Sequence, residues 1–153
     1  KSDQVVPQAM KGWIQSMYET EAERNTLLDY MIFEGKMLYV MDAVLRNDAD
    51  STKIGFTSES IDWCSSYETR VWAHLVDKEL LYDTQYMSIN KWINQAPFVA
   101  GIPKESPGRL GQWVGWQIVR KFMKENPKTT IQELMLNQDA QEILTKSKYK
   151  PRE

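Results

Sequence analysis

The chain has 153 residues, of which 42% are hydrophobic and 26% are charged, a balance that excludes a disordered or low-complexity protein. Its 19 basic and 21 acidic side chains leave a net charge of −2, which provides no overall positive field for nucleic acid or for an anionic membrane surface. The single Cys64 and the single His74 exclude an internal disulfide and a histidine-rich metal site within these residues, so we expect no cofactor for this chain alone.

Residues 1–153 are expected to form one helical domain. The sequence has no internal repeat, no linker rich in glycine, serine and proline, no apolar run long enough to span a membrane and no secretory leader. Because the chain opens at Lys1 rather than at a methionine, we expect it to be the C-terminal part of a longer protein.

The first half of the chain predicts three helices. Pro7 suits the first turn of a short helix. This helix would carry the apolar residues Trp13, Ile14 and Met17. A capping box opened by Thr20, followed by apolar residues at helical spacing, predicts a long helix over residues 21–46. Thr57, with acidic residues after it, predicts a second long helix over residues 58–81.

The second half predicts shorter helices separated by loops. A short helix is expected within residues 86–94, and a longer one over residues 108–125 that ends before the next proline. Residues 96–107 between them form an irregular loop, which we expect to be ordered because its apolar side chains gain from burial. A capping box opened by Thr130 precedes a final helix near residues 140–146. The predicted fold class is all-α, an irregular multi-helix domain with long loops.

Glu34 lies in the middle of the apolar face of the predicted helix 21–46, when residues are placed at about 100° intervals. Asp42 lies near the border of the same face. A buried carboxylate is costly unless it is paired, hydrogen-bonded or bound to a metal. Two interpretations therefore stay open for Glu34: an ion pair with a basic residue of another helix, or a metal ligand or catalytic acid.

The predicted helix at residues 108–125 has two distinct faces. One is polar and aromatic, and consists of Arg109, Gln112, Trp113, Trp116 and Arg120. The other is a row of glycines, Gly108, Gly111 and Gly115. Their missing side chains allow a neighbouring helix or a ligand to come close, and this spacing is typical of tight helix packing. The segment lacks the Gly-Lys-Ser/Thr ending of a phosphate loop, so nucleotide binding is not expected.

Arg109 would place a positive charge in the first turn of its helix, where the helix dipole is already positive. Glu105 in the preceding loop could compensate this charge, but Glu34 needs a partner of its own. We therefore predict that Arg109 meets Glu34, directly or through Gln112, as a buried polar cluster between the two helices. The alternative is a cleft in which Arg109, Gln112 and the indoles of Trp113 and Trp116 bind an acidic or peptide ligand.

Cys64 and His74 are predicted to be packing residues. Ten positions apart on one helix corresponds to about 280°, so the two side chains point in different directions and cannot act as a Cys-His pair.

Several motifs, taken in chain order, resemble a known family. They are Phe56-Thr57, Trp63-Cys64, Val71-Trp72, Glu-Leu-Leu-Tyr at 79–82, Ala-Pro-Phe at 96–98, Ser-Pro-Gly-Arg-Leu-Gly-Gln-Trp-Val-Gly-Trp-Gln-Ile-Val-Arg at 106–120 and Lys-Ser-Lys-Tyr-Lys-Pro at 146–151. Together they resemble the C-terminal half of the gliding motility lipoprotein GldB family of Bacteroidetes. The likeness covers nearly the whole chain, and the block at 106–120 is its most specific part.

This resemblance implies a lipoprotein of the cell envelope that faces the periplasm and is held by a lipid anchor outside this chain. It links the chain to gliding motility and to the associated protein secretion. The expected role is a protein or peptide binding module without enzymatic activity, whose partners are other cell-envelope proteins or a peptide segment. No nucleic acid is expected as a partner.

GldB-like proteins in turn resemble zincin metallopeptidases. This implies that the chain resembles the C-terminal half of a zincin-like fold, and it suggests an alternative function. Residues 31–36 resemble the helical segment that supplies the third zinc ligand, and Glu34 would be that ligand. The chain contains no His-Glu-x-x-His motif. A zinc-dependent peptidase therefore requires that motif in a preceding N-terminal half, and zinc would be a cofactor of the intact protein only.

Overall fold

The structure is a computed structural model. It describes residues 7, 9, 11, 12 and 24–152. Within these residues all regular secondary structure is helical, and this confirms the predicted all-α class. Over residues 24–152 the α-helices in chain order are α1 (Leu27–Val44), α2 (Asp50–Ile54), α3 (Ser58–Asp77), α4 (Tyr86–Ile93), α5 (Leu110–Glu125), α6 (Ile131–Leu136) and α7 (Ala140–Ser147). A 3₁₀-helix at Leu80–Tyr82 connects α3 to α4.

Helix α1 begins later than predicted, at Leu27 rather than at residue 21. Thr26 caps it: the Thr26 hydroxyl accepts a hydrogen bond from the Asp29 amide at 3.1 Å, and the Asp29 carboxylate accepts one from the Thr26 amide at 3.0 Å. An aspartate here takes the place that glutamate usually has in a capping box, which hides the motif from a search for glutamate. The box predicted at Thr20 lies outside the described residues. So do the apolar residues of the predicted first helix, Trp13, Ile14 and Met17.

Helix α3 begins as predicted and ends earlier. The Thr57 hydroxyl accepts a hydrogen bond from the Ser60 amide at 3.1 Å and caps the first turn. The helix ends at Asp77 instead of continuing to residue 81, because Glu79 has a φ of 55°, in the left-handed region. Leu81 is nevertheless buried, on the 3₁₀-helix that follows.

Helices α1 and α5 cross at the centre of the molecule with their backbones in contact. A Cβ atom added to Gly115 would overlap the carbonyl oxygen of Met31, and one added to Gly35 would overlap the carbonyl oxygen of Gly115. Gly111 allows a similar approach to helix α4, because its added Cβ would lie 2.8 Å from the Trp92 carbonyl oxygen. The prediction of tight helix packing is therefore confirmed for Gly111 and Gly115. Gly108 lies before the helix, and a Cβ added to it would be 3.9 Å from the nearest atom, so it makes no close contact.

The boundaries of the other predicted helices agree with the sequence to within two residues, whereas the short helix α2 lies in a segment expected to be a loop. Helix α5 begins at Leu110, because Arg109 is its N-cap with a φ of 61° and is not part of the first turn. The Thr130 hydroxyl and the Glu133 carboxylate form the predicted capping box of α6. Helix α7 ends at Ser147, where the following residue, Lys148, has a φ of 55°.

The loop between α4 and α5 is anchored on the core. Pro97 and Ile102 are buried, and Arg70 Nε donates a hydrogen bond to the Gly101 carbonyl at 2.9 Å. Phe98 differs from its neighbours, since it is exposed to solvent.

Cys64 and His74 are packing residues, as predicted. Cys64 is completely buried in the core, and burial together with the nearby negative charge of Glu68 raises the pKa of its thiol to about 12. The His74 ring lies 6.0 Å from the Trp92 ring between centroids. Burial and the charge of Lys78 lower the pKa of His74, partly offset by Asp77.

Candidate functional site

The strongest polar cluster of the described residues joins α1, α2 and α5 around Arg120. Arg120 Nε and Nη2 donate parallel hydrogen bonds to the two carboxylate oxygens of Asp42, each at 2.8 Å. The same guanidinium donates to both carboxylate oxygens of Asp50, at 2.9 and 3.0 Å. One arginine therefore ties three helices together through two carboxylates.

Two further donors complete the surroundings of Asp42. Trp116 Nε1 donates to it at 3.0 Å and Lys53 Nζ at 3.1 Å. The Arg120 guanidinium also lies over the Trp116 ring, 3.7 Å from its centroid, a favourable cation–π arrangement. Burial alone would raise the pKa of Asp42, but the hydrogen bonds and charge of Arg120, with the bonds from Lys53 and Trp116, hold it below its usual value.

The polar face of α5 thus binds carboxylates of α1 and α2, and the sequence indicates only some of the residues involved. Trp116 and Arg120 belong to the predicted face, and Asp42 to the border of the apolar face of α1. Asp50 and Lys53 were not singled out, although their spacing places both on one side of the short helix α2. That spacing is the signal through which the sequence could have indicated them.

Glu34 is paired with Lys11 and not with Arg109, so the predicted Glu34–Arg109 contact is wrong. Lys11 Nζ donates to Glu34 Oε1 at 2.6 Å and lies 3.5 Å from Gln112 Oε1. Gln112 Nε2 in turn donates to the Ile93 carbonyl at 2.9 Å. The inward carboxylate does have a basic partner from another segment, but the partner lies in the N-terminal part of the chain.

Arg109 is held by carbonyl groups instead of a carboxylate. Its Nη1 donates to the Ile54 carbonyl at 2.6 Å and its Nη2 to the Gly55 carbonyl at 3.3 Å, while the guanidinium lies 5.0 Å from the centroid of the Phe56 ring. These carbonyls end helix α2, where intrahelical partners are missing and the helix dipole is negative. Burial lowers the pKa of Arg109, and the charge of Glu34 partly offsets this without direct contact.

A small cavity of about 160 Å³ lies where these groups meet. Its lining consists of Pro7, Lys11, Leu38, Lys53, Ile54, Arg109 and Gln112. Trp113 and Trp116 are buried in the core and do not line it. Of the residues predicted from the sequence as a ligand site or a buried polar cluster, Gln112, Trp113 and Trp116 are therefore buried, and Glu34 and Arg109 are half-buried. Their polar contacts go to other groups: Glu34 bonds to Lys11, Trp116 to Asp42, and Arg109 and Gln112 to backbone carbonyls.

No group of three or more histidine, cysteine, aspartate or glutamate side chains in residues 24–152 and the four described N-terminal positions is arranged to hold a metal ion. Glu34 as a zinc ligand stays a prediction, which requires residues outside this chain.

Lys36 is a buried charge on α1 that the sequence analysis missed. Its ammonium donates to the carbonyl of Asn137, directly after α6. Burial lowers the pKa of Lys36 to about 8. Lys36 lies two residues after Glu34 in a run of apolar residues, and this position could have indicated from the sequence that the lysine is buried.

The model of the family described as gliding motility protein GldB matches residues 1–151. The chain belongs to the GldB family. No curated protein and no solved structure matches it.

Two sequence blocks that resemble GldB occupy defined places in this GldB-family fold. The block at 106–120 contains the Arg109 cap and most of α5, so it supplies both the helix crossing and the Arg120 cluster. The block at 146–151 ends α7 and begins the C-terminal segment. Among the described residues, no helix is sufficiently long and apolar to cross a membrane.

A surface cleft of about 460 Å³ is a second candidate site of this GldB-family chain, and the sequence analysis missed it. It is lined by Arg24, Asn25, Tyr30, Thr84, Tyr86, Ile89, Asn90, Ile93 and Asn94. Tyr86, which lines the cleft, and the adjacent Met87 stand at the start of α4 and are 77% and 82% exposed. Two large apolar residues next to each other where the short helix begins are the sequence signal for an exposed apolar edge.

Proposed function

We propose that this chain is a peptide-binding module of a GldB-type lipoprotein that faces the periplasm and acts in gliding motility and the associated protein secretion. Membership of the GldB family supports the link to gliding and the place in the cell envelope. The peptide-binding role is supported by the cleft beside α4, and this cleft is the observation that carries the proposal.

The cleft has the chemistry that suits an extended peptide. Ile89 and Ile93 are buried and supply an apolar floor, while Asn90 and Asn94 supply amide groups at its edge. Asn94 Nδ2 already donates to Asn90 Oδ1 at 2.8 Å, which leaves one amide N–H of Asn94 and the donors of Asn90 for a peptide backbone. Sites of this kind combine a mainly apolar lining with a few placed polar groups.

The charge at one end of the cleft indicates the kind of segment it takes. The Arg24 guanidinium lies 3.9 Å from the centroid of the Phe33 ring and 5.7 Å from that of Tyr30, and it makes no ion pair with a described carboxylate. The occupant we propose is therefore an extended segment of a partner protein with large apolar side chains next to an acidic residue. Its apolar side chains would cover Tyr86 and Met87, whose exposure is otherwise unfavourable.

The test substitutes the exposed residues of the cleft edge in the intact protein and measures gliding of the cells that carry it. The double substitution Tyr86→Ser and Met87→Ser should abolish gliding and reduce secretion, with normal protein abundance and localisation. Leu136→Ser on α6 is the matched control, because Leu136 is also exposed, at 57%, but lies outside the cleft. Normal gliding in the double variant, or an equal defect in the control, would contradict the proposal.

A further inference from the structure

The C-terminal segment after Leu144 alternates between cationic and inward-facing residues. Lys146, Lys148, Lys150 and Arg152 are all exposed. Between them Ser147 is completely buried, and Tyr149 and Pro151 are half-buried. The segment therefore presents a row of four cations to solvent, and its sequence contains no acidic residue before the terminal Glu153. We call it the cationic row.

The inward-facing residues hold the cationic row in a fixed position. Ser147 Oγ donates to the Leu144 carbonyl at 2.6 Å and accepts from the Tyr149 amide at 3.0 Å. The Tyr149 hydroxyl donates to Glu68 on α3 at 2.7 Å, and its ring packs edge-on against Trp72 with 4.9 Å between centroids. The cations thus belong to an ordered surface and not to a loose tail.

A groove of about 390 Å³ lies between this row and α5. It is lined by Glu68, Gln117, Arg120, Lys121, Lys124, Tyr149, Lys150, Pro151 and Arg152. Two of its cations are neutralised, since Arg120 binds Asp42 and Asp50, and Lys121 binds Glu125 at 2.6 Å. Lys124, Lys150 and Arg152 make no ion pair with a described carboxylate.

The surplus of positive charge extends beyond the groove lining. A hydrogen bond from Lys121, its charge, and the charges of Lys148 and Lys124 lower the pKa of Glu125. One exposed carboxylate is thus shared by three ammonium groups, and this leaves most of their charge uncompensated.

The near-neutral total charge of the chain conceals this local surplus. Residues 119–153 carry eight basic and five acidic side chains, a net charge of +3, whereas residues 1–118 carry eleven and sixteen, a net charge of −5. The near-neutral net charge of the whole chain therefore does not exclude an anionic membrane surface as a partner of this end.

We propose that the groove and the cationic row bind the phosphate groups of anionic phospholipids at a membrane surface, with Lys124, Lys150 and Arg152 as the main contacts. These three side chains are exposed and spread along an open groove. Such an arrangement suits an array of lipid headgroups better than a single enclosed phosphate. Each cation close to an anionic bilayer adds to the attraction. The proposal is independent of the peptide cleft, and it predicts that this face of the lipoprotein lies against its membrane.

The test is co-sedimentation of the 153-residue chain, prepared without lipid, with vesicles of phosphatidylethanolamine and phosphatidylglycerol. Vesicles of phosphatidylcholine alone serve as the neutral comparison. The chain should bind the anionic vesicles, and the binding should weaken as salt concentration rises. The triple substitution Lys124→Gln, Lys150→Gln and Arg152→Gln should reduce binding at least about tenfold.

The matched control removes the same charge from exposed cations elsewhere, through Arg46→Gln, Lys78→Gln and Lys104→Gln. It should change binding less than about threefold. Conservative Lys124→Arg and Lys150→Arg substitutions should retain binding, and circular dichroism should show that every variant is folded.

Three outcomes would overturn the proposal. The first is no binding of the unaltered chain to anionic vesicles. The second is an equal loss in both triple variants, which would show an effect of net charge alone. The third is release from the vesicles by inorganic phosphate, or by a glutamate-rich peptide, at constant ionic strength, which would assign the groove to a soluble phosphate or to an acidic protein segment.

Discussion

Arg120 binds Asp42 through two parallel hydrogen bonds of 2.8 Å each. Bidentate pairs of this kind combine charge with a fixed geometry and are stronger than single contacts. Because Asp42 lies on α1 and Arg120 on α5, the pair fixes the two central helices relative to each other beyond the point where their glycines cross. The cluster around Asp42 is therefore structural.

Removing Arg120 should destabilise the protein strongly. Arg120→Met should lower the free energy of unfolding by about 3 kcal/mol, because Asp42 and Asp50 lose their shared partner while Asp42 stays largely buried. Urea denaturation followed by circular dichroism gives the value. Lys121→Met, which removes an exposed pair on the next residue, should change little. An equal loss in the two variants would show that the Arg120 cluster has no special role.

The Asp42 pair should also contribute to acid stability. Since the pKa of Asp42 is lower in the folded chain than its ordinary value of 3.8, its stabilising effect is present above that value and is lost as pH falls through the folded pKa. The stability difference between the unaltered protein and Asp42→Asn should therefore decrease on acidification below about pH 4. Denaturation curves at a series of pH values measure it, and a difference that stays constant with pH would contradict the assignment.

The glycine face provides the sharpest test of packing. Gly115→Ala should destabilise by about 3 kcal/mol, because the new methyl group meets the backbone of Met31 and neither helix can yield locally. Intrinsic helix propensity acts in the opposite direction, by about 1 kcal/mol in favour of alanine. Gly108→Ala is the control: its Cβ would lie 3.9 Å from the nearest atom, the Gln95 carbonyl carbon. Thermal unfolding should show a large shift for the first substitution and a small one for the second.

The sequence predicts those parts of the fold that depend on local chemistry. Thr57 and Thr130 are recognised because a capping residue acts within its own first turn. The glycine face of α5 is recognised because Gly111 and Gly115, four residues apart, leave a groove on one side of the helix. The partner of Glu34 was not predictable in the same way. Periodicity shows that Glu34 faces inward, but which cation reaches it depends on how a separate segment packs. Lys11 has no feature that distinguishes it from other lysines in the sequence.

The Glu34–Lys11 pair is open to a double-mutant cycle. Glu34→Gln and Lys11→Met should show a coupling of about 1 kcal/mol, because the side chains meet at 2.6 Å and both are shielded from solvent. The cycle between Glu34→Gln and Arg109→Met should give a clearly smaller coupling, since these two charges interact without contact. A larger coupling to Arg109 would restore the original interpretation of the sequence.

Lys36 should make stability increase with pH in the alkaline range. Its pKa is about 8 in the folded chain and 10.5 as an ordinary lysine, so between these values the unfolded chain holds a proton that the folded chain has released. The free energy of unfolding then rises with pH, by as much as about 3 kcal/mol relative to Lys36→Met. The measurement compares urea denaturation of the two proteins at pH 7 to 10.5. Lys78→Met, at an exposed position, should follow the unaltered protein.

The contacts of Arg109 have a consequence for how the chain opens. One guanidinium closes the end of α2 at Ile54 and Gly55, while the backbone of the same residue starts α5. Fraying at the start of α5 therefore removes the Arg109 hydrogen bonds from the end of α2, and fraying at the end of α2 releases Arg109 in turn. The two helix termini are coupled although they are distant in sequence. Amide hydrogens at the two termini should exchange together as one cooperative unit, with protection above that of ordinary helix ends.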